Sequence, residues 1–238
     1  MKYISALLLL FSFLKSPAQL IGAEAKQTEP YDSAASSYYN SQVKSFAVYN
    51  GRVFYGYPGM IGHAFFPENG SDWQTGSILY DGTWYHKVLL LFDVFKEELV
   101  VLQPNSIPVR LLSNRVEKFV YQGRSFIRLQ PDQDNVLKTG FYEQVLEGEA
   151  SLLIRRSKHI DEKIEGLAVE KRFIPLDQYY IIKDGSYHAV HTQKGAMNVL
   201  KDGKQGMAQH LKKQQLKFRK NKERALLEMV TFYNKRRK

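Results

Sequence analysis

Gly76-Ser77-Ile78-Leu79-Tyr80-Asp81-Gly82-Thr83-Trp84-Tyr85-His86-Lys87-Val88 is the stretch that decides the fold. Two β-prone runs meet at Asp81-Gly82, a dipeptide that accepts positive φ at both central positions of a two-residue hairpin turn. The expectation is an antiparallel strand pair. Its return strand continues as Leu89-Leu90-Leu91-Phe92-Asp93-Val94-Phe95, turns at Lys96-Glu97-Glu98 and runs back as Leu99-Val100-Val101-Leu102. Beyond Pro104-Asn105, the runs Val109 to Leu112 and Val116 to Tyr121 precede a turn at Gln122-Gly123-Arg124 and a strand from Ser125 to Leu129. Consecutive strands joined this tightly are expected to be antiparallel neighbours.

The same texture extends in both directions, with turn residues every 8 to 12 positions, as in a meandering sheet. It begins near Phe46 and resumes with Gly140 to Leu146, a turn at Glu147-Gly148-Glu149, and Ala150 to Arg156. A last hairpin, Gln178 to Ile182 and Tyr187 to Val190, turns at Lys183-Asp184-Gly185-Ser186, and the sheet ends near His191. Between these, residues 157 to 172 are polar with charges of alternating sign and read as a mobile loop. From Thr192 the apolar spacing becomes helical: Met197 and Leu200, then Met207 and Leu211, then Leu226, Met229, Val230 and Tyr233. Gly203 and Gly206 separate the first helix from the second. The expected fold is mainly β with C-terminal helices (α+β). It is an antiparallel meander sheet or open barrel spanning 43–191, packed by two or three short amphipathic helices in 192–238.

At the N-terminus, Lys2 precedes the apolar run Tyr3 to Leu14, which is 12 residues long. A membrane span needs roughly 20, so the run reads as a signal peptide and not an anchor. Ser16 and Ala18 place small residues for cleavage after Ala18, with Ile21-Gly22-Ala23 a weaker second site. Residues 1–18 are therefore read as the signal peptide and 19–42, rich in Ala, Ser, Gln and Tyr, as a flexible lead-in. The chain contains no cysteine, which excludes a lipid-modified cysteine, a disulfide framework and thiolate metal sites. The expected compartment is the periplasm or outer-membrane surface of a bacterium.

The charge is unevenly distributed. The chain has 34 Lys and Arg against 24 Asp and Glu, a formal net charge of +10. Lys194 to Lys238 alone holds 14 Lys or Arg against three acids, Asp202, Glu223 and Glu228. Basicity thus belongs to the tail, and the rest of the mature chain carries a slight excess of acid.

Tyr80-Asp81-Gly82-Thr83-Trp84-Tyr85, followed by Val88 to Phe95 and Glu98-Leu99-Val100-Val101, resembles a pattern in uncharacterised secreted proteins of Bacteroidota. A Y-D-G-x-x-Y hairpin there leads into V-x-L-x-Y-D and a returning apolar strand. The strand pair from Phe141 to Leu153 and a Lys-rich last helix ending near Tyr233-Asn234 are similar as well. The resemblance implies a fold and a compartment, and it implies no activity.

Candidate chemistry is sparse. His188-x-x-His191 with Asp184 has the residue types of a metal site, but residues three apart on a strand face opposite sides. Ordinary strand-end histidines are the better reading, and no metal or other cofactor is expected. Asp93, within an apolar strand, needs a partner or a raised pKa. With Glu97, Glu98 or Glu143 as a second carboxylate it would suit glycoside hydrolysis, while a turn-capping role is the favoured alternative. No Gly-x-Ser-x-Gly, His-Glu-x-x-His or phosphate-cradling glycine loop is present. The 15 Tyr, 14 Phe and two Trp suggest an aromatic binding face using Trp84 and Tyr85. The tail offers Lys212, Lys213, Lys217 and Lys220 for binding. Because export makes nucleic acid an unsuitable polyanion, the expected partners are an envelope protein or an anionic membrane or lipopolysaccharide surface. The functional expectation is a non-enzymatic exported interaction or accessory module, with an envelope hydrolase acting on a glycan as the alternative.

Overall fold

The computed structural model describes residues 46–67, 72–165, 168–201 and 206–236. The expected signal peptide and lead-in, 1–18 and 19–42, lie outside them. In chain order the strands are β1 (Arg52–Val53), β2 (Phe65–Phe66), β3 (Gln74–Tyr80), β4 (Thr83–Asp93), β5 (Glu98–Leu102), β6 (Pro108–Arg110) and β7 (Val116–Tyr121). They continue with β8 (Arg124–Leu129), β9 (Gly140–Leu146), β10 (Ala150–Arg155), β11 (Lys158–Glu165), β12 (Ala168–Pro175), β13 (Gln178–Lys183) and β14 (Ser186–Ala189). Three helices follow, α1 (Gln193–Val199), α2 (Met207–Lys213) and α3 (Lys222–Arg236). The fold is mainly antiparallel β with helices packed at its C-terminal end, as expected. The sheet is open and does not close into a barrel.

Three tight hairpins fall where the turn dipeptides predict them. Asp81 and Gly82, Gln122 and Gly123, and Asp184 and Gly185 all have positive φ, the geometry that matches the twist of the strands they join. Lys87 also has positive φ. It is the extra residue of a bulge, since Gly76 pairs with Val88 while Ser77 pairs with His86. The bulge lets Tyr85, Val88, Leu90 and Phe92 enter the core, although the run from Val88 to Phe92 does not alternate.

The strand order is β1-β6-β5-β4-β3-β7-β8-β9-β10-β13-β14, with β2 pairing β4. One junction departs from the expected meander: β6 and β7 are not neighbours. Strand β1 occupies the outer edge of β6, and a short 3-10 turn at Ser113–Arg115 takes the chain across to pair β7 with β3. Leu111 and Val116, on either side of this turn, are both buried in the same core.

Residues 157–172 require a second correction. They are not a loop but most of the β11–β12 hairpin, a separate two-stranded ribbon. Its alternating charges are cross-strand partners: Asp161 faces Arg172, Glu162 faces Lys171 and Lys163 faces Glu170. At its base, buried Phe173 packs on Tyr57 and Phe95. Ile61 also pairs with the β12 backbone on either side of Arg172.

Two apolar clusters hold the sheet. The larger gathers Ile78, Leu90, Phe92, Leu99, Phe119, Phe126 and Phe141, with Val48 from the N-terminal segment. Phe92 meets Phe119 and Phe126 with ring centroids 5.0 and 5.2 Å apart. The second lies under the helices, where Ala196, Leu200, Met207, Leu211, Leu226, Met229, Val230 and Tyr233 cover Ala150, Leu152 and Ile181. The helical apolar stripes thus find their cover on the sheet. A smaller cluster of Leu137, Tyr142, Leu153 and Tyr180 packs separately. Among the described residues no helix is long and apolar enough to cross a membrane.

Candidate functional site

Asp93 ends β4 and is fully buried. Its Oδ1 accepts hydrogen bonds from the backbone N–H groups of Phe95 and Lys96, both at 3.0 Å, and its Oδ2 accepts from the Tyr57 hydroxyl. Burial is the largest influence on the group and pushes its carboxyl above the ordinary carboxylate value, against the lowering effect of those three donors. The same burial, reinforced by Asp93, raises the Tyr57 hydroxyl pKa. The arrangement is that of a turn cap that also fastens residues 54–57 to the sheet.

The other acids considered for glycan chemistry are held by arginines. Glu97 accepts from Arg155 Nε at 2.6 Å, and Glu98 pairs with Arg110 at 3.4 Å. Glu143, buried on β9, accepts from Arg124 and Arg156, each at 2.6 Å.

Arg156 is the centre of the most extensive polar network. Its side chain is 5% exposed. It donates to Glu143, to Asp177 at 2.7 Å, and through both terminal nitrogens to Glu223 in the first turn of α3 at 2.7 and 3.0 Å. Burial acts to raise the Glu223 carboxyl, but the Arg156 hydrogen bonds and charge outweigh it and hold the group below its ordinary value. Arg156, Asp177 and Glu223 border a cleft of about 230 Å³ whose apolar side includes Phe66, Pro67 and Val94. The guanidinium groups of Arg124 and Arg156 lie 5.4 and 5.1 Å from the Phe66 ring. Lys158 enters from the hairpin and donates to the carbonyls of His63 and Phe65. Three cations here face three acids, so the seam between the two main clusters is charge-balanced and satisfied from within.

The aromatic pair read from the sequence is split by strand geometry. Trp84 is 42% exposed, whereas Tyr85, the next residue on β4, is 9% exposed and turns into the core. Trp84 instead lies parallel to His86 two residues on, with centroids 5.8 Å apart. His86 is held in turn by Ser77 Oγ at 3.0 Å. His188 lies on β14, opposite Ile181. His191 follows that strand, and Asp184 occupies the turn at its other end. No three His, Cys, Asp or Glu side chains converge as a metal site among the described residues.

Lys212 and Lys213, in the last turn of α2, and Lys217 and Lys220, in the connection to α3, are all exposed. Arg219 lies exposed among them. The four tail lysines named from the sequence are thus all exposed within residues 212–220. Beside them a groove of about 670 Å³ runs between α2 and α3, lined by Gly206, Gln209, His210, Lys213, Phe232 and Arg236. Sequence reading missed the Arg156 network and this groove. Arg156 carried a usable signal, because it continues the inward alternation of Leu152 and Ile154 and an inward charge at a strand end demands acids. His210 and Phe232 carried none, since their meeting depends on how α2 and α3 pack.

Comparison with protein-family models, curated proteins and solved structures returns no match for the chain.

Proposed function

We propose that the protein is an exported, non-enzymatic component of a bacterial envelope. It is an interaction module held at an anionic membrane or lipopolysaccharide surface by its basic helical tail. The separation of charge carries this reading. Lys212, Lys213, Lys217, Arg219 and Lys220 are exposed, and among the described residues none of the five is joined to a carboxylate, whereas Arg110, Arg124, Arg155 and Arg156 of the sheet domain are all paired. A cation near an anionic membrane contributes about 1 kcal/mol and acts over a Debye length of roughly 8 Å at physiological salt. A cluster of five therefore suffices for reversible attachment without an apolar anchor. The apolar run Tyr3 to Leu14 and the Ala18-Gln19 junction support export.

Cells producing the full chain provide the test. Fractionation and N-terminal sequencing should find a mature protein beginning at Gln19 in the envelope fraction, released by a high-salt wash. The variant with Lys212, Lys213, Lys217 and Lys220 all changed to Ala should be lost from that fraction at low salt. A chain retaining Met1 in the cytoplasm contradicts export, and attachment indifferent to both salt and the four substitutions contradicts the role given to the tail.

A further inference from the structure

The sheet ends in two different ways. At one end β1 has only Arg52 and Val53, and its neighbour β6 begins at Pro108. At the other end stands β14, Ser186-Tyr187-His188-Ala189, which pairs with β13 on one side and with no strand on the other. Its register fixes which backbone groups face outward. Ile181 pairs with His188 and Lys183 with Ser186, and the Val190 N–H donates to the Tyr179 carbonyl at 2.8 Å. Hydrogen-bonded pairs alternate along an antiparallel ladder, so 186, 188 and 190 bond to β13 while the N–H and C=O groups of Tyr187 and Ala189 point away from it. Among the described residues none of these four outward groups has a hydrogen-bond partner. Ser186 and Ala189 are exposed. Open edges are ordinarily blunted by lysine, proline or a bulge, and β14 carries none of these.

We infer that β14 is the interface through which two copies of this chain associate, edge to edge and antiparallel, into one continuous sheet. The strand fits itself. With Tyr187 opposite Ala189 of the second copy, both outward residues of each copy join hydrogen-bonded pairs, and two such pairs exchanging two bonds each give four N–H···O bonds. A register centred on Tyr187 or on Ala189 uses one residue of each copy and gives two. The side chains favour the same register. Tyr187 and Ala189 lie on the face of Ile182 and Tyr180, their partners on β13, where Tyr187 is partly buried against the cluster of Leu137, Tyr142, Leu153 and Tyr180. Ala189, small and exposed, leaves room beside Tyr180 for Tyr187 of the second copy, so the apolar cluster continues across the junction. His188 then falls on the two-fold axis, opposite itself.

Sedimentation equilibrium of the mature protein provides the test. At about 100 μM it should behave as a dimer, as expected of an interface with a micromolar dissociation constant. Ala189→Pro removes an N–H that β13 does not use, and Ala189→Lys keeps every backbone donor but fills the space needed by Tyr187 of the second copy. Each should weaken association by at least about tenfold, and a thermal melt of each confirms that the fold is kept. Because the chain has no cysteine, a single introduced thiol reads the register directly. In His188→Cys the two thiols meet at a non-hydrogen-bonded pair with Cα atoms about 4.5 Å apart, within disulfide reach. Diamide should cross-link this variant at least about tenfold faster than Trp84→Cys, on the exposed face of β4, because docking raises the effective thiol concentration. A mature chain that is monomeric at this concentration overturns the interface, and protection of its Ala189 amide from hydrogen exchange would then assign the edge to another segment of the same chain. A dimer unchanged by both Ala189 variants, or cross-linked no faster at position 188 than at position 84, overturns it as well, since the copies would then meet elsewhere.

Discussion

At Asp93 a carboxylate is fully buried at the end of an apolar strand, and its three donors explain how the fold tolerates it. Its folded-state pKa lies above the ordinary value of 3.8, so the folded chain holds the proton more tightly than the unfolded one. The stability it contributes is then fully present below the unfolded value and is lost as pH rises through the folded value. Asp93→Asn keeps an oxygen for the two N–H groups and removes the desolvated charge. The stability of the Asp93→Asn variant relative to wild type should therefore improve between pH 4 and pH 7 in urea titrations. Asp93→Ala leaves two backbone donors and the Tyr57 hydroxyl without their acceptor and should cost about 3 kcal/mol or more at either pH, at 1–3 kcal/mol per buried unsatisfied group. If the two substitutions prove equally damaging, the capping role is wrong. Asp93 was legible in the sequence as a buried acid needing partners. Tyr57 was not legible as its partner, because 36 residues separate them and Tyr57 lies in an irregular segment without periodicity.

Among the elements, α3 is fixed at both ends. Its first turn is joined to Arg156 through Glu223, and near its last turn Asn234 clasps the backbone of Ala150, accepting from its N–H and donating to its C=O, both at 2.9 Å. The Asn234 amide thus behaves as one more strand residue at the start of β10. That gives the Tyr233-Asn234 pair a structural role, with Tyr233 buried beneath the helix. Removing one partner of a buried ion pair costs about 3–5 kcal/mol, whereas an exposed pair is worth at most about 1 kcal/mol. Arg156→Ala should accordingly lower stability several-fold more than Lys171→Ala, which breaks the exposed pair with Glu162. Asn234→Ala should cost about 2 kcal/mol for its two hydrogen bonds and expose the α3 amides to faster hydrogen exchange than those of β4. Equal losses from Arg156→Ala and Lys171→Ala would show that the seam does not hold the helix.

The same scale shows what sequence could and could not reveal. Strands bounded by Asp81-Gly82, Gln122-Gly123 and Asp184-Gly185 were legible because those turns allow few other connections. The β11–β12 ribbon was missed because neither strand alternates apolar with polar residues and its charges complement one another only across the pair. Its strands read as polar loop until Glu162 is set opposite Lys171. The separation of β6 from β7 was equally hidden, since it depends on β1, a two-residue strand far too short to announce itself.

Across the whole molecule, the sheet domain pairs Arg110, Arg124, Arg155 and Arg156 with carboxylates while the tail presents Lys212, Lys213, Lys217 and Lys220 outward, and this contrast underlies the proposed membrane attachment. The uneven charge was legible from composition. The groove was not, because Lys213 and Arg236 are 23 positions apart and only helix packing brings them to one site. The most direct measurement is sedimentation of the mature protein with anionic and with neutral vesicles at about 50 mM and about 300 mM salt, since surface attraction is screened over this range. The account predicts binding to anionic vesicles alone, falling steeply with salt and reduced to the neutral-vesicle level when Lys212, Lys213, Lys217 and Lys220 are changed to Ala. Equal binding to neutral and anionic vesicles, or anionic binding unaffected by salt and by the four substitutions, would contradict it.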